Sequence, residues 1–211
     1  MPAFAAEASL TTDSSATQLR TITTPIVVSD AEGDALQFMR EEEKLAHDVY
    51  VTLAEQWGLR VFTNISASEQ QHSDAVATLL GRAGLSDPVT GNAVGEFTDP
   101  VLQKLYNDLI VQGSKSVADA LKVGAAIEEI DIADLQERMA GTTNADILRV
   151  YGNLLKGSEN HLRSFASTLE NQTGEKYVPQ YMDQTAYDAI LAAAGSGQNS
   201  AGGRGGNSRR P

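Results

Sequence analysis

The chain has 211 residues, of which 16 are Lys or Arg and 28 are Asp or Glu, and its formal net charge is −12. This acidic balance argues against general nucleic-acid binding, because neutralising phosphates requires clustered basic side chains. The absence of cysteine excludes disulfides, thiolate catalysis, zinc–thiolate sites and iron–sulfur clusters. No stretch reaches the roughly 18–20 apolar residues that cross a bilayer, so we expect no transmembrane segment.

Both ends of the chain differ from its middle in composition. Residues 1–33 are rich in Ala, Ser and Thr and predict a flexible leader. Small residues at positions 3–8 are typical of a signal-peptide cleavage region, although no apolar core precedes them. The chain as written is therefore cytoplasmic, or it derives from an exported precursor. Residues 194–211 are rich in Gly and Arg and predict a disordered tail, with weak contact to RNA or an anionic surface as the alternative. The folded domain itself is expected to bind no nucleic acid.

In chain order, two long helices come first. The apolar period predicts a first helix that begins at Asp34, with Gln37 completing a capping box, and that stops at Gly58. A second helix is predicted to start at Asn64 or Ser66. The connection between the two is short, so we expect them to be antiparallel neighbours.

A loop and a short helix separate this pair from a second pair of long helices. The short helix is predicted over residues 100–111, the third long helix over 116–139 and the fourth over 143–172. A last short helix is expected within residues 177–193. About 30 residues link the second and third long helices, whereas the other links are short. One long crossover at this point is the connectivity of the ferritin-like four-helix bundle, so an all-α fold of this class is predicted over residues 34–193.

Ionisable side chains occur on the inward-facing side of every long helix. Charged groups are rarely buried unless they are paired or bind a metal, because removing them from water is costly. At middle positions of four antiparallel helices, such groups converge on one layer. Carboxylates together with imidazoles suit iron or manganese, and bridging carboxylates suit two neighbouring ions. The predicted metal ligands are Glu43, Glu69, His72, Glu128, Asp131 and His161.

Two assignments on the first helix pair have a competitor. Glu69 and His72 form a Glu-x-x-His pair on one helix face, but Ser66 and Glu69 also fit a capping box. Glu42 competes with Glu43 as the first-helix ligand. We favour Glu43 because it shares the apolar face of its helix, whereas most glutamates in such a charged run face water.

The second helix pair raises similar alternatives. Glu128 aligns with the apolar face of the third helix, whereas Glu129 is expected to face outward. Asp131 is either a metal ligand or an acceptor that orients an imidazole. His161 is predicted to be a ligand on the fourth helix, and His47 is predicted to be a partly exposed surface residue.

At these residues the chain resembles the ferritin-like superfamily, specifically rubrerythrin-type bundles. The motifs that carry this resemblance are Glu43-Lys-Leu-Ala46-His-Asp-Val-Tyr50, Glu69-Gln-Gln-His72 and Glu128-Glu-Ile-Asp131. More closely still, the chain is similar to a bacterial and archaeal ferritin-like family catalogued as a domain of unknown function. That similarity rests on Met39-Arg-Glu-Glu-Glu-Lys-Leu-Ala46, Ser66-Ala-Ser-Glu-Gln-Gln-His72, Val123-Gly-Ala-Ala-Ile-Glu-Glu-Ile-Asp131 and Asn160-His161-Leu162-Arg163-Ser164-Phe165.

The resemblance implies a centre of two iron ions, or manganese, that reacts with dioxygen or peroxide or oxidises Fe(II). Tyr50 or Tyr151 is then expected to donate a proton or a hydrogen bond beside the metal. Two departures limit the comparison. Ser158 stands where rubrerythrins have the fourth-helix carboxylate, and no cysteine is present for a rubredoxin-like module, so any electron donor must be a separate molecule.

Two other functions remain open from the sequence. The protein could bind or sequester iron without turnover, or it could be a metal-free helical binding module whose polar core is held by hydrogen bonds. The missing fourth-helix carboxylate favours the last possibility. Because ferritin-like bundles often pair, a homodimer is a further expectation.

Overall fold

The computed structural model describes residues 24–193, and within that range it contains six helices and no strand. The predicted all-helical fold class is therefore confirmed. The two terminal predictions, for a leader and a Gly/Arg-rich tail, fall mainly on residues 1–23 and 194–211, which lie outside the described residues. The helices are α1 Asp30–Trp57, α2 Arg60–Ala83, α3 Pro100–Gly113, α4 Val117–Ala140, α5 Ala145–Thr173 and α6 Gln184–Ala193.

Helix α1 begins one turn earlier than the apolar period predicts. Ser29 is its N-cap: the Ser29 hydroxyl accepts a hydrogen bond from the Glu32 backbone N–H, and the Glu32 carboxylate accepts one from the Ser29 N–H at 2.8 Å. This reciprocal pair is the capping box, so the predicted box of Asp34 and Gln37 is wrong. Gly58, at φ 66°, ends the helix as predicted.

Helix α2 also begins earlier than predicted. Leu59 is its N-cap and offers no side-chain hydrogen bond, which is why no capping motif marks this start in the sequence. Ser66 lies in the second turn, where its hydroxyl donates to the Thr63 carbonyl at 3.1 Å. The predicted starts at Asn64 and Ser66 are therefore wrong, and the capping-box alternative for Glu69 is excluded.

The remaining helices follow the predicted order. Ser116 caps α4 and Asn144 caps α5, each through its side-chain oxygen. Helix α3 lies within the predicted long link between α2 and α4. Helix α6 lies within residues 177–193, as predicted, and a non-helical segment at residues 174–183 precedes it.

The four long helices pack as two pairs, α1 with α2 and α4 with α5. Contacts of α1 with α4 and of α2 with α5 join the pairs, and α3 covers α1 and α4. Within the described part of the chain, no helix is long and apolar enough to cross a membrane.

The apolar core is divided into two clusters by a layer of buried polar side chains. One cluster includes Tyr50, Phe62 and Phe165, and the other includes Met39 and Leu135. On α1, α2 and α5 the predicted ligands fall between the positions that contribute to the two clusters, and on α4 Glu128 and Asp131 precede Leu135 of the second cluster. The fold therefore places carboxylates and imidazoles from four helices at one level, enclosed above and below by apolar side chains.

Candidate metal centre

The predicted ligands lie together in this polar layer. Glu43, Glu69 and Glu128 are 0% exposed, and Asp131 is 1% exposed. The two imidazoles are also largely buried. Burying this many ionisable groups is costly unless each charge is compensated. The hydrogen bonds and charged neighbours of each side chain therefore show whether the layer is suited to bind a cation.

The Glu69 carboxylate lies between two imidazoles. Its Oε2 is 2.7 Å from His72 Nδ1, and its Oε1 is 2.5 Å from His161 Nδ1. The two rings stack with their centroids 5.5 Å apart. Ligand atoms of these three residues all lie within 4.8 Å of one another. Glu69, His72 and His161 are therefore arranged so that they could hold one metal ion.

Glu43 and Glu128 flank this triad on opposite sides. Glu43 Oε2 is 3.3 Å from His72 Nδ1, and Glu128 Oε2 is 3.6 Å from His161 Nδ1. Both histidines thus turn Nδ1 toward the carboxylates. The Tyr50 hydroxyl donates to Glu128 Oε1 at 2.6 Å, and it also lies 3.2 Å from the Gly124 carbonyl.

Several polar atoms of the layer lack a hydrogen-bond partner among the described residues. Both carboxylate oxygens of Glu43 and one oxygen each of Glu128 and Asp131 are among them. Glu69 Oε1 and His161 Nδ1 also form no hydrogen bond of standard geometry, but they lie 2.5 Å apart as an ion pair. Buried polar groups in proteins are almost always hydrogen-bonded. Carboxylate oxygens and an imidazole nitrogen form the donor set that iron and manganese accept. The residues present therefore fit a metal centre of this kind.

The charges of the layer are strongly coupled. Burial raises the pKa of Glu43 to about 8 and that of Glu128 to about 7, and it raises the pKa of Asp131 well above its usual range. For Glu69, burial is outweighed by contact with the imidazoles of His161 and His72, which lowers its pKa to about 2.

The pKa values of the two histidines are also shifted, and here the neighbouring charges outweigh burial. Burial opposes their positive charge, but the surrounding carboxylates outweigh it and raise the pKa of both His72 and His161 to about 10. Protons on the imidazoles and on some carboxyls thus balance the charge of the cluster. Since metal ligands bind in their deprotonated forms, uptake of a cation would release those protons.

Two buried carboxylates next to the layer have a different environment. Glu129 accepts backbone N–H bonds from Gln180 at 3.0 Å, Tyr181 at 2.6 Å and Met182 at 2.9 Å. Its predicted outward orientation is wrong, because this side chain is 0% exposed and holds the segment before α6. Glu41 is also buried, and it accepts from the Asp99 N–H at 3.1 Å.

Glu42 is buried as well, so the expectation that most glutamates of this run face water is wrong. Burial and the neighbouring Asp134 raise the pKa of Glu42 well above its usual range. Of the two competing glutamates, Glu43 approaches His72, whereas Asp134 and Arg138 are the main charged neighbours of Glu42. This placement supports the preference for Glu43.

The other residues singled out in the sequence lie around the centre. The Tyr151 hydroxyl is buried without a hydrogen-bond partner among the described residues. The Ser158 hydroxyl donates to the Leu154 carbonyl of its own helix at 3.2 Å. His47 is partly exposed, as predicted, and its Nδ1 lies 2.8 Å from Asp48 Oδ1, outside the cluster.

Two residues that the sequence analysis did not single out shape the centre. His161 Nε2 is 3.1 Å from the Ser68 hydroxyl, a contact that orients the ring. A Cβ on Gly157 would lie 2.5 Å from Cε1 and Nε2 of His72, so only glycine leaves room for this imidazole. A glycine inside a helix costs about 1 kcal/mol relative to alanine. A glycine in the middle of the predicted fourth helix was therefore the sequence signal that could have pointed to a close contact at this position.

Fold and site together define an all-helical protein whose buried carboxylate–imidazole cluster can hold a metal ion. The chain belongs to the family described as "Uncharacterized protein domain (DUF2202)", whose model matches residues 32–194. It is 48% identical over 167 residues to the uncharacterized protein MJ0754 of Methanocaldococcus jannaschii, covering 79% of this chain and 90% of that protein.

A solved structure agrees with this assignment. The crystal structure of hypothetical protein MJ0754 from the same archaeon matches with a TM-score of 0.78 at 47% identity, over 81% of this chain and 97% of that one. The predicted membership in a domain family of unknown function with archaeal members is thus confirmed.

Proposed function

We propose that this protein is a ferritin-like metalloprotein that holds two iron or manganese ions and uses them in redox chemistry with dioxygen or peroxide, or to oxidise Fe(II). The observation that carries the proposal is the triad of Glu69, His72 and His161, whose ligand atoms lie within 4.8 Å of one another, with further buried carboxylates beside it. One or both carboxylate oxygens of Glu43, Glu128 and Asp131 accept no hydrogen bond from the described residues, which supports a bound cation over a self-contained polar core.

The packing of the helices supports the ferritin-like class. Two antiparallel pairs, α1 with α2 and α4 with α5, are joined by the long connection that contains α3. Ferritin-like bundles have one such long crossover and place carboxylates and Glu-x-x-His pairs inside the bundle. Glu69 and His72 form a pair of this kind on α2.

In this proposal the triad of Glu69, His72 and His161 holds one ion. Glu43, Glu128 and Asp131 provide the further carboxylates for the second. Asp131 supplies the carboxylate ligand that the fourth long helix lacks. The Ser158 hydroxyl is a poor substitute for that ligand, because it is hydrogen-bonded to its own helix.

The bound metal would supply the electrons that reduce an oxidant or accept those of Fe(II). The residues of the chain orient the ligands and exclude water. Tyr50 holds Glu128 through its hydroxyl, Ser68 holds the His161 ring, and the two apolar clusters enclose the layer. Electrons for repeated turnover come from a separate donor, because the chain has no cysteine-based redox group.

The test is the metal content of a ligand-deficient variant. Wild type, Glu69→Gln/His72→Ala and the control His47→Ala are incubated anaerobically with Fe(II) or Mn(II), desalted and counted by elemental analysis. We expect about two ions per chain in wild type and in His47→Ala, and a loss of at least the triad-bound ion in the double variant. Full stoichiometry in the double variant would refute the site.

Iron binding without turnover is the second candidate function. The specific observation in its favour is Ser158, since the missing carboxylate would weaken one of the two ion positions. Addition of peroxide or dioxygen to the iron-loaded protein separates the two candidates. Multiple turnovers with an added reductant support the enzyme, whereas a single stoichiometric oxidation supports sequestration.

A further inference from the structure

A partly open cavity that no predicted metal ligand lines lies where the start of α1, the end of α4 and the start of α5 meet. It has a volume of about 160 Å³. Small side chains create this space, and apolar atoms form most of its wall. The lining residues are Ala31, Glu32, Ala35, Arg138, Gly141, Thr142, Ile147 and Tyr151.

Two hydrogen-bonding groups of this wall have no partner among the described residues. They are the Tyr151 hydroxyl, in a side chain that is only 1% exposed, and Nε of Arg138. Both can donate a hydrogen bond, and an unpartnered donor at a buried position is costly. A ligand that presents an acceptor atom to this wall would relieve that cost.

The remaining polar side chains are already engaged. The Glu32 carboxylate accepts hydrogen bonds from Ser29 at the start of α1 and from the Thr142 hydroxyl. Its negative charge offsets the positive charge of Arg138 at the same wall. The cavity therefore offers donors without a net positive charge, which favours an uncharged ligand over an anion.

We propose that this cavity binds a small, uncharged ring compound with one oxygen, of the phenol class. An apolar cavity of about 150 Å³ accommodates benzene, so the volume suits a single six-membered ring. The apolar wall contacts the ring, and Tyr151 and Arg138 donate to its oxygen. Apolar pockets with a few placed polar groups are the usual form of small-molecule sites. The proposal stands whether or not the neighbouring cluster binds metal.

The experiment is an NMR titration of the full chain with phenol, compared with benzene and benzoate. We expect saturable shifts at the methyl groups of Ala31, Ala35 and Ile147, and weaker binding of both benzene and benzoate. The variant Tyr151→Phe keeps the volume but loses the hydroxyl, so its affinity for phenol should fall about fivefold, the value of one hydrogen bond, while its affinity for benzene stays unchanged.

Two further variants control for volume. Ala31→Leu adds bulk to the cavity from an exposed helix position and should abolish phenol binding, whereas Ala67→Leu, exposed on α2, should leave it unchanged. Absence of saturable shifts in wild type, equal phenol affinity in wild type and Tyr151→Phe, or tighter binding of benzoate than of phenol would each overturn the proposal.

Discussion

Glu128 and Glu129 are neighbours on α4, and both are 0% exposed, yet they lie in different surroundings. Glu129 accepts three backbone N–H bonds from the segment before α6. Glu128 receives one hydrogen bond, from Tyr50, and its other oxygen faces the histidine cluster without a partner. Burial alone therefore does not mark a functional carboxylate. The position of the second Glu128 oxygen beside His161, with no backbone N–H to hold it, distinguishes the proposed metal centre from the structural anchor.

The same contrast occurs on α1. Glu41 accepts backbone N–H bonds at the start of α3, whereas both oxygens of Glu43 lack a hydrogen-bond partner among the described residues. The anchoring carboxylates join loops to the outer side of the helices. The unpartnered ones face the interior of the bundle. Helices α1 and α4 thus each carry a glutamate that anchors a loop, Glu41 or Glu129, and one that faces the proposed centre, Glu43 or Glu128.

The largest expected effects on stability and on metal binding come from replacing Glu129 and Glu128 of α4, one at a time, by glutamine. Glu129→Gln loses charge-assisted bonds to three N–H groups, so the free energy of unfolding should fall by about 2–4 kcal/mol. Its metal stoichiometry should match that of wild type. Glu128→Gln should lower metal affinity at least about 100-fold, because a ligand is lost rather than an outer contact.

Urea unfolding of the metal-free variants gives the matching control. Without metal and at neutral pH, Glu128→Gln should lie within about 1 kcal/mol of wild type, because burial raises the pKa of Glu128 to about 7 and glutamine has the shape of the protonated carboxyl that is partly populated there. Identical stability losses and identical metal contents in the two variants would remove the distinction between anchor and centre.

The next effect concerns the space beside His72. Gly157→Ala places a methyl group against the imidazole and should lower metal affinity about 10- to 100-fold, the usual value of a contact that orients a ligand. Gly152→Ala, one turn earlier on α5, meets only the Met139 methyl at 3.8 Å. This control should keep wild-type affinity and gain about 0.5–1 kcal/mol of stability from the better helix former. Titration with Mn(II) followed by electron paramagnetic resonance measures both affinities.

A smaller effect is expected from the single hydrogen bond that Glu128 receives. Tyr50→Phe removes the 2.6 Å contact and should lower metal affinity about tenfold and stability by about 1–2 kcal/mol. Tyr187→Phe, at a buried position of α6, serves as the aromatic control with unchanged metal binding. If both variants bound metal like wild type, Tyr50 would have no part in holding the centre.

The smallest expected effect is on thermal stability, from the ion pairs of Asp146, a carboxylate that is not buried. Hydrogen bonds from Arg82 and Arg149 lower the pKa of Asp146 to about 2. Because this value is below the unfolded value of about 3.9, the contacts stabilise the fold above about pH 4, and that contribution is lost as the pH falls toward 2.

Asp146→Asn isolates this contribution. Its Tm should lie below that of wild type by about 2 °C or less at pH 6, and the difference should shrink toward pH 2 and in high salt. A difference that grew as the pH fell would contradict the direction of the pKa shift.

The sequence was sufficient to place the end of α1 and the start of α4. Gly58 ends α1 in the left-handed conformation that glycine favours, and Ser116 caps α4. The starts of α1 and α2 were misplaced for different reasons. The capping box of Ser29 lies before the first apolar residue of its helix, and Leu59 caps α2 without any side-chain bond.

The inward positions of the candidate ligands followed from helical periodicity, since residues three or four apart share a face. The burial of Glu41 and Glu129 did not, because it depends on loops far along the chain that donate their N–H groups. The role of Gly157 depends on where another helix places His72. Contacts between segments that are distant in the sequence therefore could not be predicted from local sequence patterns.

The most direct test of the central claim is to locate the metal. Crystals of the protein loaded anaerobically with Mn(II) would be measured at the manganese absorption edge, and an anomalous difference map would be calculated. We predict an anomalous manganese peak within bonding distance of Glu69, His72 and His161, and a second peak beside Glu43, Glu128 and Asp131. Manganese peaks confined to surface carboxylates, with none in the buried layer, would contradict this prediction.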